Sequence, residues 1–230
     1  MKHHPSNEVL RKFAAAELNE SLSSVISAHI EQCSMCLNSV ASFEKALASD
    51  MYSSSPASPD SLDEIWLNIS SQLDSSKNEQ ANFFDFSKPT EIVVGDQRFE
   101  MPRSLRHLSL TSLKWMSFGQ RGKIARLKGN ESNSLLLIYL GPNEEVPPHS
   151  HSGAEYSYVI SGSFAAAGSE FETGDFSFSD HTVVHSPKAT SPDGCLLLSN
   201  VEEPLYFFRG MLKPLNRIFW RFLNWKFDHL

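Results

Sequence analysis

The 230-residue chain has only three cysteines, Cys33, Cys36 and Cys195, which excludes a disulfide framework and fits a reducing compartment. No run approaches the roughly 20 apolar residues needed to cross a bilayer, and the start, MKHHPSNEVL, has no apolar signal-peptide segment. These absences predict a cytoplasmic protein. Positive charge is also scarce: 20 basic residues stand against 27 acidic ones, for a formal net charge of −7. That balance argues against direct nucleic-acid binding, which needs a basic face to meet phosphate. Hydrophobic residues make up 40% of the chain, enough for more than one small core, so two domains are expected.

Two of the cysteines fall in HIEQCSMC, His29 to Cys36. At about 100° per residue on a helix, His29, Cys33 and Cys36 share one face. Three soft ligands on one face point to zinc, which needs a fourth for a closed tetrahedral site. The start of the chain supplies it. Two apolar-patterned segments, Val9 to Leu18 and Leu22 to Ile30, would form a hairpin that returns His29 to the level of His4. Spacing alone does not choose between His3 and His4, and His4 is taken as the ligand. The alternatives are a redox Cys-x-x-Cys pair, which wants a βαβ context where these flanks read as helical, and two unrelated thiols.

The chain divides into a helical bundle over residues 1–75, a linker over 76–90, a β domain over 91–210 and a tail over 211–230. Within the first part, a third helix is expected around Leu37 to Leu47, and the Ser- and Pro-rich segment 49–60 reads as a joint before a fourth helix. Ser61-x-x-Glu64 makes a capping box for that helix. Leu62, Ile65, Trp66, Ile69 and Leu73 form one apolar stripe, which either packs on its own domain or is offered to a partner's groove, with Trp66 as anchor. A bundle this small has little core, and a zinc tie would hold it together.

Beyond Thr90, short strand-like runs separated by Gly, Pro, Asn and Asp predict an all-β sandwich or barrel: Glu91–Val94, Trp115–Phe118, Lys123–Leu127, Ser134–Leu140, Glu155–Ile160, Ser163–Ala166, Asp175–Phe178 and Gly194–Leu198. On a strand His149 and His151 point the same way, Glu155 follows a short turn, and His185 comes from a later strand. Three imidazoles and a carboxylate can converge on one metal, with zinc, manganese, iron and nickel all compatible. His181 is the competing histidine, and His185 is preferred.

The spacing His149-x-His151-x3-Glu155-x6-Gly162, followed by Gly174-Asp175 and His185, resembles the two signature motifs of cupins. That resemblance implies a double-stranded β-helix, or jelly-roll, barrel with the metal in its mouth, and an α+β multidomain chain overall. With His4, His29, Cys33 and Cys36 ahead of it, the chain resembles the zinc-binding anti-sigma factors of the ChrR type. The resemblance implies a cytoplasmic regulator, not an enzyme. Its helical part would sequester an extracytoplasmic-function sigma factor, and its cupin part would sense oxidative stress such as singlet oxygen. The alternative is a metal-dependent cupin enzyme, a dioxygenase or isomerase, with an accessory helical domain.

Cys195 has no second cysteine nearby, Leu197 standing two residues on, so a disulfide switch inside the barrel is not expected. The tail Met211–Leu230 traces an amphipathic helix with added positive charge. It fits self-docking, contact with a twin subunit or a place on a membrane surface. The cupin part is a candidate surface for homo-oligomerisation.

Overall fold

The computed structural model describes residues 1–54, 65–71, 90–106, 108, 110, 113–129, 133–202 and 205–207. Helix α1 (Asn7–Ala14) begins where Ser6 Oγ accepts the Val9 N–H at 3.3 Å. Helix α2 (Glu20–Gln32) begins where Asn19 Oδ1 accepts the Leu22 N–H at 2.9 Å. Each turns an apolar face inward, carrying Leu10 from α1 and Leu22, Val25 and Ile26 from α2. Helix α3 (Ser34–Ser54) runs on through Ser49–Ser54, where the linker was expected to begin. Once nucleated, a helix loses little by adding such residues, and the first firm stop in the sequence is Pro56, which also restricts the residue before it. A fourth helix, α4, covers residues 65–71.

A second difference lies between α2 and α3. A continuous helix was expected to carry His29, Cys33 and Cys36, but Cys33 is extended, with φ −109° and ψ 97°. The break has no Gly or Pro to announce it. Hydrogen bonds span it on both sides, Cys33 N–H to His29 O and Leu37 N–H to Cys33 O, each 3.0 Å. It leaves His29 in the last turn of α2 and Cys36 in the first turn of α3.

The β part comprises β1 (Thr90–Val94), β2 (Gln97–Met101), β3 (Met116–Phe118), β4 (Gly122–Gly129), β5 (Asn133–Leu140) and β6 (His149–His151). It continues with β7 (Glu155–Ala166), β8 (Ser169–Glu172), β9 (Phe176–Ser179), β10 (Lys188–Ala189), β11 (Cys195–Glu202) and β12 (Leu205–Phe207). Strand pairings among the described residues are antiparallel, with a main order β10-β7-β11-β5-β4-β3. The expected strands Glu155–Ile160 and Ser163–Ala166 are two halves of β7. The first half pairs with β9, the second with β8 and β10. The crossover comes at a bulge opposite Leu196 and Leu197 and at Gly162, whose φ is +84°. A Cβ at Gly162 would collide with the Gly194 carbonyl, so a side chain is excluded on space as well as conformation.

Period-two alternation then decides what each strand face meets. On β11, Cys195 and Leu197 join Leu140, Val159 and Phe164 in one cluster. Leu196 and Leu198 face the other way, joining Leu135, Leu137 and Tyr139 of β5 in a cluster that includes Leu22, Val25 and Ile26 of α2. The helices therefore cover one face of the sheet, and bundle and barrel share a continuous core. This double coverage explains why Leu135–Leu140 of β5 and Cys195–Leu198 of β11 are apolar on both faces instead of alternating with polar residues.

Candidate metal centres

The α2–α3 break brings His29, Cys33 and Cys36 to His4, and the four ligand atoms lie within 4.8 Å of one another. His4 Nδ1 is 3.4 Å from Cys33 Sγ and 3.5 Å from Cys36 Sγ. Such separations suit a tetrahedral ion, whose ~2.0–2.3 Å bonds place ligands about 3.3–3.8 Å apart. His29 Nδ1–H donates to Gly174 O at 3.0 Å, while Nε2 is buried with no hydrogen-bond partner. That leaves a lone pair for an ion. Burial pushes the His29 imidazole down to about 4, so it is neutral near pH 7. Burial, with its thiol neighbour Cys33, pushes the Cys36 thiol up to about 12, and a bound cation is what would make it a thiolate ligand. His3 stands outside the cluster, its Nε2 3.2 Å from Glu170 O and its ring against Phe171.

In the barrel, His149 and His151 on β6, Glu155 at the start of β7 and His185 form a second group within the same 4.8 Å limit. His151 Nε2 lies 2.9 Å from His185 Nε2, which lies 3.0 Å from His149 Nε2; Glu155 Oε2 is 3.0 Å from His151 Nε2. His149 Nδ1–H donates to Pro147 O at 2.8 Å, and His185 Nδ1 lies 3.2 Å from Ser179 Oγ. The neutral His149 ring therefore turns its Nε2 lone pair toward His185 Nε2 at 3.0 Å, an arrangement that a cation between the rings would satisfy. Burial, reinforced by His185, brings His149 down to about 4. Burial raises the Glu155 carboxyl, but His151, His185 and His149 outweigh it and hold it at about 2. The donor sets fit metal at both clusters. His181 is exposed and outside the group.

A cavity of about 180 Å³ opens beside Glu155 and His185, lined also by Ser157, Ser179, Phe178 and Leu197. Cys195 is fully buried, and burial pushes its thiol up to about 12, so it is an inert core residue. On α4, Ile65, Trp66 and Ile69 are 54%, 67% and 46% exposed. Leu62, Leu73, the segment 72–89 and the tail 211–230 lie outside the described residues. Sequence reasoning missed Glu31, whose carboxylate accepts the Arg103 and Ser104 N–H groups at 2.9 Å, and Ser179. Neither carries a local signal, because each acts on an element remote in the chain.

Residues 105–203 match the ChrR cupin-like domain family. Over 224 residues, 96% of this chain and 99% of the relative, the sequence is 25% identical to the anti-sigma-E factor ChrR of Cereibacter sphaeroides. The fold also matches a chain in the crystal structure of Rhodobacter sphaeroides SigE in complex with the anti-sigma ChrR. The TM-score there is 0.65 at 21% identity, over 87% of this chain and 99% of that one. No described helix is long and apolar enough to cross a membrane.

Proposed function

We propose that this chain, which resembles ChrR-type anti-sigma factors from end to end and carries their cupin-like domain at residues 105–203, sequesters an extracytoplasmic-function sigma factor. It is a cytoplasmic regulator and not an enzyme. The observation that carries the reading is α4, whose Ile65, Trp66 and Ile69 lie exposed on one stripe beyond a bundle whose His4, His29, Cys33 and Cys36 are grouped to hold a metal ion. An amphipathic helix of this kind supplies the spaced anchors that a groove on a partner protein recognises. The N-terminal metal is zinc, selected by two thiols and two imidazoles, and it holds α1, α2 and α3 in register. The barrel metal is zinc or another divalent transition ion. Sensing of oxidative stress such as singlet oxygen occurs in the barrel and releases the sigma factor. With a zinc ion that has no redox chemistry of its own, and with Cys195 buried, the oxidant acts on a ligand or on a molecule in the cavity beside Glu155 and His185.

The test is co-purification of the full chain with a co-expressed extracytoplasmic-function sigma factor, before and after stripping with a strong zinc chelator and after illumination with a singlet-oxygen photosensitiser. The full chain is needed because bundle and barrel share a core. Zinc-dependent capture that illumination abolishes is expected. No capture in the zinc-loaded state overturns the anti-sigma reading, and capture that survives illumination overturns the sensing step.

A further inference from the structure

The two metal clusters are joined by one short stretch of chain. At its first end, the turn before β9, Gly174 O accepts the His29 Nδ1–H at 3.0 Å. Asp175 Oδ1 accepts the Lys2 N–H at 2.6 Å and the His3 N–H at 3.2 Å, and Phe176 N–H donates to His3 O at 3.1 Å. The arm that presents His4 is thus fastened residue by residue to the barrel. Gly174 has φ +93°, a conformation open to glycine, and the Met1 side chain packs over it. Asp175 is buried, and its Oδ2 accepts the Glu172 N–H at 3.0 Å, so its carboxylate is saturated by backbone donors.

At the other end of β9, Ser179 Oγ holds His185 Nδ1 at 3.2 Å, and Ser179 lies opposite Glu155 in the β7–β9 register. The strand between is a wall. Phe176 packs against His29 and Tyr156, while Ser177 and Ser179 line the barrel cavity. From Phe176 to Ser179 the strand spans about 10 Å of extended backbone. Paired with β7 from Phe176 to Ser179, β9 is the continuous element by which a displacement at one end would reach the other.

Resting on the reading that both clusters bind metal, we propose that the Gly174–Asp175 turn and β9 couple them. Asp175 and Gly174 are positioning residues for the N-terminal metal, and filling the barrel cluster tightens the N-terminal one. Groups that orient metal ligands change affinity by about 10–100-fold when removed. Coupling of binding sites is reciprocal, so filling the N-terminal cluster also tightens the barrel cluster. A change at the barrel metal or its cavity would then loosen the cluster that holds the helices, without any contact with the partner.

Cobalt(II) titration of the full chain against a competing chelator reads the N-terminal cluster alone, because thiolate-to-cobalt absorption can arise only where Cys33 and Cys36 are ligands. Asp175→Asn should weaken the thiolate site about tenfold or more, with melting curves showing a folded chain. The double substitution His149→Ala/His151→Ala, which leaves the barrel cluster one imidazole and one carboxylate, should weaken the thiolate site by about tenfold, and adding Ser179→Ala should remove that dependence. Ser179→Ala keeps all eight ligands and deletes one hydroxyl, so it serves if Asp175→Asn does not fold. A thiolate band whose affinity ignores the state of the barrel cluster overturns the coupling. Absence of the band in the unsubstituted chain overturns the metal reading beneath it.

Discussion

On the proposed anti-sigma reading, replacing Trp66 by Ala should remove most of the hold on a sigma factor while leaving the fold intact. Trp66 is 67% exposed. A large aromatic side chain buries about 150–250 Å², so covering the exposed two-thirds takes roughly 100–170 Å² out of water. At about 25 cal/mol per Å² this is about 2.5–4 kcal/mol, the range of an interface hot spot, and corresponds to a roughly 70- to 1,000-fold rise in Kd. The comparison that isolates the effect is Leu67→Ala. Leu67 is 66% exposed but points about 100° away from Trp66, off the stripe of Ile65 and Ile69, and should change Kd by less than about threefold. Calorimetric titration of the zinc-loaded variants with purified sigma factor measures both. Equal effects of the two substitutions, or a Trp66→Ala Kd within threefold of the parent, would refute the assignment of this stripe.

Other outcomes follow from the core and the clusters. Leu198→Ala, at a fully buried position shared by sheet and α2, should cost about 2–5 kcal/mol, and helical and near-ultraviolet signals should melt together. Two separated melting steps would contradict the shared core. Cys36→Ser should lose the N-terminal metal and with it sigma capture, while metal bound by the barrel histidines remains, as read by metal content per chain. Burial raises the Asp175 carboxyl, but the backbone N–H groups of Glu172, Lys2 and His3 bring it below its ordinary value. Its contribution is therefore present above the usual carboxylate pKa and lost as pH falls below it, and Asp175→Asn should flatten that acid limb of a stability–pH curve. Cys195 should resist alkylation in the folded chain and react only after unfolding.

The residue spacings carried much of this by themselves. His149 and His151 share a strand face by period two, and Glu155 and His185 follow at intervals that a barrel closes. The metal-ligand types at His4, His29, Cys33 and Cys36 were likewise legible, because few other roles put two thiols and two imidazoles within reach of one another. The apolar runs of β5 and β11 also held a message in the sequence: a strand without polar alternation is covered on both faces, and here the second cover is the helical layer. What the sequence left undetermined was every relation set by distant partners. The extended Cys33 has no local signal, since the convergence of its thiol with His4 lies in tertiary packing. The merging of two expected strands into β7 depends on how Gly162 passes under Gly194. Above all, the fastening of His29 and the His4 arm to Gly174, Asp175 and Phe176 joins residues some 145 to 173 positions apart, a separation at which local pattern is silent and only the folded chain decides.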